Sequence, residues 1–250
     1  MEIRLAALAA LWGERSLQPG GAGLDDMLSE RLLEGPAFEG ALGFIGVNPA
    51  LLISMRSRCE HVLKAVEWRS GCSAHFRPHL AGIEYEECDI DRPRAFSDGV
   101  LGRLLSTDAL AFADHKSGLV SRAYRALGSG GRWVALETVR CSPKTPSEPF
   151  ASAWSEPQLA EESDLTAAME NAGFLIQSSQ CASEAVAMAA REGYQRLSSE
   201  LEAVVGAGLK GRRGALFLQE LAWEAHSWRA RVRALEGGAL GVRLLVAEKP

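Results

Sequence analysis

Polar residues stand at or just past the ends of several short apolar runs, which is where an open parallel sheet presents its chemistry. Glu67 lies near the end of KAVEW, Asp89 follows IEYEEC, and Ser106 and Thr107 close GRLLST with Asp108 directly after. Gly46 and Asn48 occupy the turn of ALGFIGVNPALL (41–52), between one apolar run and the next. A carboxylate such as Glu67 can accept two hydroxyl hydrogen bonds, and charged acceptors make the stronger ones; the alternative is a solvated strand end. Asp108 either steers a cationic ligand or caps a turn. His115, in ADHK, either supplies a base or starts a helix at the surface. Trp154 either walls a pocket or packs in the core. The chain carries no G-x-S-x-G elbow, P-loop lysine motif or H-E-x-x-H pair, and no phosphate-cradling G-x-G-x-x-G at a strand end (GAGLKG, 206–211, separates two expected helices), which argues against the chemistries those motifs serve.

The 250 residues suffice for one α/β domain with an elaboration, and 47% hydrophobic with 24% charged residues is ordinary globular composition. A formal net charge of -5 argues against a general nucleic-acid partner. The five cysteines (59, 72, 88, 141 and 181) form no C-x-x-C pair and have no ligand-like spacing to the five histidines. Reduced thiols in a cytoplasm are expected, with no metal site. No apolar run approaches membrane-spanning length, and the start MEIRLAALAALWGER reads as a helix rather than a secretion signal.

Short apolar strands alternate with helical stretches from residue 41 onward, as in parallel-sheet proteins. Strands are expected at 41–47, 64–68, 82–88, 102–107, 132–139, 174–179 and 241–249. Helices are expected over 51–63, 117–127 and 158–172, the last two stopped by Gly128 and Gly173. Residues 183–205 and 214–235 read as a helical pair inserted before the final strand. In the second of these, Leu218, Leu221, Ala225, Trp228, Val232 and Leu235 mark one apolar face. The expected organisation is an N-terminal helical segment (1–40), a core (41–180), the inserted pair (181–237) and the last strand (238–250).

The stretch LSTDALAFADHKSGLVSRAYRALGSGGRWVALETV (105–139) resembles the fourth-to-fifth-strand segment of class I S-adenosylmethionine-dependent methyltransferases of the small-molecule type. Its turn, Leu127 to Gly131, has Ser129 where that family usually has proline. YEECD (85–89), AWS (153–155) leading to NAGF (171–174), and the terminal GVRLLVAEKP extend the likeness. The resemblance implies a Rossmann-like, seven-stranded, mostly parallel sheet with helices on both faces and the inserted pair before the last strand. It also implies S-adenosylmethionine as cofactor, near Gly46, Asn48, Glu67 (ribose), Asp89 (adenine) and Thr107. A small-molecule acceptor would then lie near Asp108 and Trp154, with His115 as a candidate catalytic base.

The first loop departs from the family's pattern of an acid followed by alternating glycines. With Gly46 as first glycine, Phe44 replaces the acid and Asn48 and Ala50 the later glycines; one residue earlier, Gly43 takes the acid's place. Asn48 tolerates a left-handed backbone, and Pro49 suits a first helical position. Two functions follow. One is methyl transfer from S-adenosylmethionine to a small molecule. The other is a methyltransferase-fold protein without cofactor that binds a protein partner, or itself, through the inserted helices.

Overall fold

The structure, a computed structural model, is described for residues 2–92, 96–142, 159–206 and 211–250, and for their side chains outside 199–206. Its seven strands are β1 (Ala41–Ile45), β2 (Leu63–Glu67), β3 (Ile83–Glu87), β4 (Leu101–Thr107), β5 (Leu127–Arg140), β6 (Leu175–Cys181) and β7 (Leu240–Glu248). They form one sheet in the order 3-2-1-4-5-7-6. Neighbours run parallel except for β7, which is antiparallel to both β5 and β6. The expected seven-stranded, mostly parallel sheet is what the chain builds. Strand order reverses between β1 and β4, so the crevice that receives ligands lies at their carboxyl ends.

The central strands owe their places to composition. Every residue of β1 and β4 is buried, as two-sided parallel strands require. β3 and β6, at the two edges, are mostly half-buried or exposed.

Helices α1 (Glu2–Trp12), α2 (Ala22–Leu33), α3 (Pro49–Arg58) and α4 (Cys72–Phe76) cover one face, joined by α8 (Ser183–Gly206) and α9 (Gly211–Glu236). The other face is covered by α5 (Ala109–Phe112), α6 (Lys116–Ala126) and α7 (Glu162–Asn171). Each face has its own apolar cluster, one around Leu11, Leu52 and Met55, the other around Leu119, Val120 and Trp133.

Several boundaries differ from the sequence expectation. α3 begins at Pro49 and stops at Arg58, with Cys59 extended, rather than running to 63. Leu63 is needed as the first buried residue of β2, paired with Leu42 and Ile83. The five-residue α4, not anticipated, fills the β2–β3 crossover. Gly128 does not stop α6: Leu127 is already extended, and β5 begins there. Gly173 does act as a stop, at φ 105° after α7, whose start carries a reciprocal Glu161–Asp164 capping box.

The long helices α8 and α9 do lie between β6 and β7. The buried face of α9 comprises Gly214, Phe217, Leu221, Glu224, Trp228, Arg231, Val232 and Leu235. Leu218 is exposed, and two of the inward residues are charged. Among the described residues no helix is long and apolar enough to cross a membrane, and no cluster of three metal-ligating side chains occurs.

Candidate cofactor and ligand site

The β1–α3 turn is built around Gly46, whose φ of +68° suits glycine. A methyl group there would also meet the Trp68 ring at 2.3 Å and the Thr107 carbonyl at 3.0 Å. Asn48 does not take the left-handed role read from the sequence. Its φ is −55°, and its side chain bonds elsewhere. Asn48 Oδ1 accepts from the Leu17 and Gln18 amides at 2.8 and 3.3 Å, while Nδ2 donates to the Gln18 carbonyl at 3.1 Å. It thereby staples the segment between α1 and α2 onto the turn.

The Gly46 carbonyl collects three donors: Thr107 Oγ1 at 2.6 Å, Arg69 Nη2 at 3.2 Å and Gln18 Nε2 at 3.4 Å. Gln18 Nε2 also donates to Thr107 Oγ1 at 2.9 Å. Phe44 is fully buried, and a side-chain carbon at Gly43 would meet Leu101 Cδ1 at 2.5 Å, so both positions are packed into the apolar core and neither presents an acid to the crevice. We expect Gly46→Ala to cost about 3 kcal/mol, from left-handed backbone strain plus displacement of Trp68. Urea unfolding measures this, and a loss below about 1 kcal/mol would contradict the packing described.

Glu67 ends β2 and is 1% exposed. Its carboxylate is gripped by the residue two positions on. Arg69 donates its backbone N–H and Nε to Oε1 at 2.9 and 2.7 Å, and Nη2 to Oε2 at 3.0 Å. Burial opposes the charge on Arg69, but Glu67 more than compensates and raises its pKa. The Trp68 ring lies under the Arg69 guanidinium, 4.9 Å from its centre, and 5.4 Å from Phe112. Tyr85, on the neighbouring strand, buries a hydroxyl that has no hydrogen-bond partner among the described residues. Its titration is raised by burial and then by Glu67.

A second polar array closes the β4 and β5 ends. Asp108, at a left-handed φ of 52°, accepts from the Thr138 amide and hydroxyl at 3.0 and 2.8 Å. Its other oxygen meets Arg231 Nη2 of α9 at 2.7 Å, and both side chains are buried. The Arg231 guanidinium lies 4.2 Å from the Trp228 ring centre. Glu137, fully buried beside them, accepts from the Leu110 and Ala111 amides and from Ser106 Oγ, which in turn accepts from Trp133 Nε1. Burial, and then the nearby Asp108, pushes the Glu137 pKa up to about 8.

Between these arrays lies a cavity of about 630 Å³. Trp68, Arg69, Asp108 and Phe112 line it from the sheet end, Gln18 from the connecting segment, and Arg4, Glu224 and Trp228 from α1 and α9. Its roof is joined by Arg4 to Glu224 at 2.8 Å and by Trp12 Nε1 to Glu224 at 3.0 Å.

The residues expected from the sequence are thus only partly brought together. Gly46, Asn48, Glu67, Thr107 and Asp108 converge at this crevice, each bonded to other parts of the chain. Asp89 is exposed and accepts the Asp91 amide at 3.0 Å, a turn-capping contact. His115 is exposed at the start of α6, its backbone N–H on Asp91, and it does not line the cavity. Trp154 lies outside the described residues. Trp68, Arg69, Gln18, Glu137 and Arg231 were not anticipated. The visible signal for the first two was adjacency, Glu-Trp-Arg at a strand end.

No protein-family model matches the chain, and no curated protein matches it in sequence. Solved structures match it in fold. Phosphoethanolamine N-methyltransferase 2 of Haemonchus contortus, in complex with S-adenosyl-L-methionine, aligns at TM-score 0.81 and 17% identity over 98% of this chain and 56% of that one. A putative sarcosine dimethylglycine methyltransferase from Galdieria sulphuraria aligns at 0.76 and 11% identity over 100% and 98%. The [4+2]-cyclase SpnF aligns at 0.71 and 15% over 100% and 93%. This chain therefore spans little more than half of the Haemonchus enzyme's length. The fold is that of the class I S-adenosylmethionine-dependent methyltransferases.

Proposed function

We propose that this chain is an S-adenosylmethionine-dependent methyltransferase acting on a small molecule. The supporting observation is the roughly 630 Å³ cavity at the carboxyl ends of the strands, with the buried acid Glu67 behind its Trp68–Arg69 wall. The residues suit the cofactor in kind. Glu67 is a carboxylate for the ribose hydroxyls, Phe112 is an apolar wall for the adenine once the Trp68 ring moves aside, and Tyr85 brings a spare hydroxyl to the same region.

When bound, the cofactor supplies an electrophilic methyl group on a sulfonium. The chain's own task is then to align the acceptor and exclude water. The α1–α9 roof and the tryptophans do the excluding. Both acids lining the cavity, Asp108 and Glu224, carry arginine partners. The acceptor therefore brings its own unprotonated lone pair, because a base is needed only for a protonated nucleophile.

A second reading is a cofactor-free methyltransferase-fold protein that works by binding. The first loop favours it, since Gly43 and Phe44 leave no acid for the cofactor's ammonium group. Calorimetric titration with S-adenosylmethionine and S-adenosylhomocysteine decides between them. Saturable submillimolar binding supports the enzyme; no heat and no change in melting temperature at millimolar ligand would reject it.

A further inference from the structure

We infer that Arg69 and Trp68 form a clasp over the nucleoside half of the cofactor site, and that cofactor entry requires both to swing into the cavity. The inference rests on the methyltransferase reading above. A carboxylate offers about four acceptor positions. Arg69 fills three of them on Glu67: its backbone N–H and Nε on Oε1 and its Nη2 on Oε2, and a swing of the side chain frees the last two, one on each oxygen. A ribose diol needs a bidentate grip on the same two oxygens, so Arg69 and a nucleoside compete for one acceptor pair.

The same guanidinium reaches from β2 to the Gly46 carbonyl of β1 at 3.2 Å, closing the space between the two strand ends. Trp68 closes it from above. Its six-membered ring lies against the glycine that would otherwise give close backbone approach, and its contact with Phe112 at 5.4 Å leaves no gap for a base between the two rings. Both side chains are half-buried and border the cavity, so each has open volume to move into. Glu67 has no such freedom, being 1% exposed at the end of a paired strand. The acid is fixed and its occupant is movable, which is the arrangement of a displaceable internal competitor.

The experiment compares the wild type with Arg69→Ala, Trp68→Leu and the double variant. Each is titrated calorimetrically with S-adenosylhomocysteine, adenosine and 2′-deoxyadenosine, after thermal melting has shown that it folds. Trp68→Leu preserves the Arg69–Glu67 pair and remains informative if Arg69→Ala destabilises the chain. We expect at least tenfold tighter binding of S-adenosylhomocysteine and adenosine in the double variant. The gain in Arg69→Ala should be much smaller for 2′-deoxyadenosine, which lacks one of the two hydroxyls. Equal saturable affinity in wild type and variants would overturn the clasp and leave the methyltransferase reading standing. A gain in Arg69→Ala that is the same for adenosine and 2′-deoxyadenosine would overturn the competition for Glu67. No binding by any folded form would overturn both readings.

Discussion

Arg231→Ala is expected to destabilise the chain by about 3–5 kcal/mol, the usual cost of removing one partner from a buried ion pair. The reason is local. Asp108 is enclosed at the end of β4, bonded to Thr138 and to Arg231, with Glu137 as the adjacent acid. Without the guanidinium, the Asp108 carboxylate stays buried with only Thr138 donating to it and a second acid, Glu137, nearby. The loss should lower the melting temperature by on the order of 10 °C for a chain of this size. It should also loosen α9, because Arg231 ion-pairs that helix to Asp108 at the site end of the sheet. Arg231→Lys should recover part of the loss, since an ammonium restores the charge but not the guanidinium's stacking on Trp228. A change below about 1 kcal/mol in urea unfolding would show that the pair contributes nothing to the fold.

Glu137→Gln is expected to change the pH dependence of stability. The unfolded carboxyl titrates near 4.5, and burial carries the folded group up to about 8. Between those values the folded chain holds a proton that the unfolded chain has released, so stability falls as pH rises across that window. Below it the contribution is fully present; above it the charged form bears the whole cost. In the protonated state the acid can donate to Ser106 Oγ while its other oxygen keeps the Leu110 and Ala111 amides. Glutamine reproduces that pattern with an amide N–H and a carbonyl. The variant should therefore match wild type near pH 5 and exceed it by a few kcal/mol near pH 8.5. Superimposable stability–pH curves for the two proteins would refute this account of Glu137.

The strands and their polar ends could be read from the sequence because two-sided burial writes itself as short apolar runs. Glu67 and Thr107 end β2 and β4, and Asp108 follows directly. Their partners could not be located in the same way. Arg231 sits in the inward stripe of α9, but counting apolar residues passes over a buried arginine and substitutes Leu218, which faces solvent. The clamp of Arg69 on Glu67 depends on how the chain turns after β2, where the short α4 left no periodic trace. The staple formed by Asn48 joins residues 30 and 31 positions apart, so the residue looked like a glycine substitute when seen beside its neighbours only. The end of α3 was overrun because helical spacing continued past Arg58, whereas the register of β2 against β1 required an extended chain by Leu63.

The strand order also sets a schedule for synthesis. β6 is made before α8 and α9, yet β7, made after them, is the strand it pairs with. Until β7 is available, β6 has no sheet to join, and β5 ends the parallel array with an open row of amides and carbonyls. A nascent chain thus carries two unsatisfied strand edges through the time needed to make two long helices. Unpaired edges of that kind recruit other chains. Supplying a holding chaperone during synthesis is therefore expected to raise the yield of correctly folded chain.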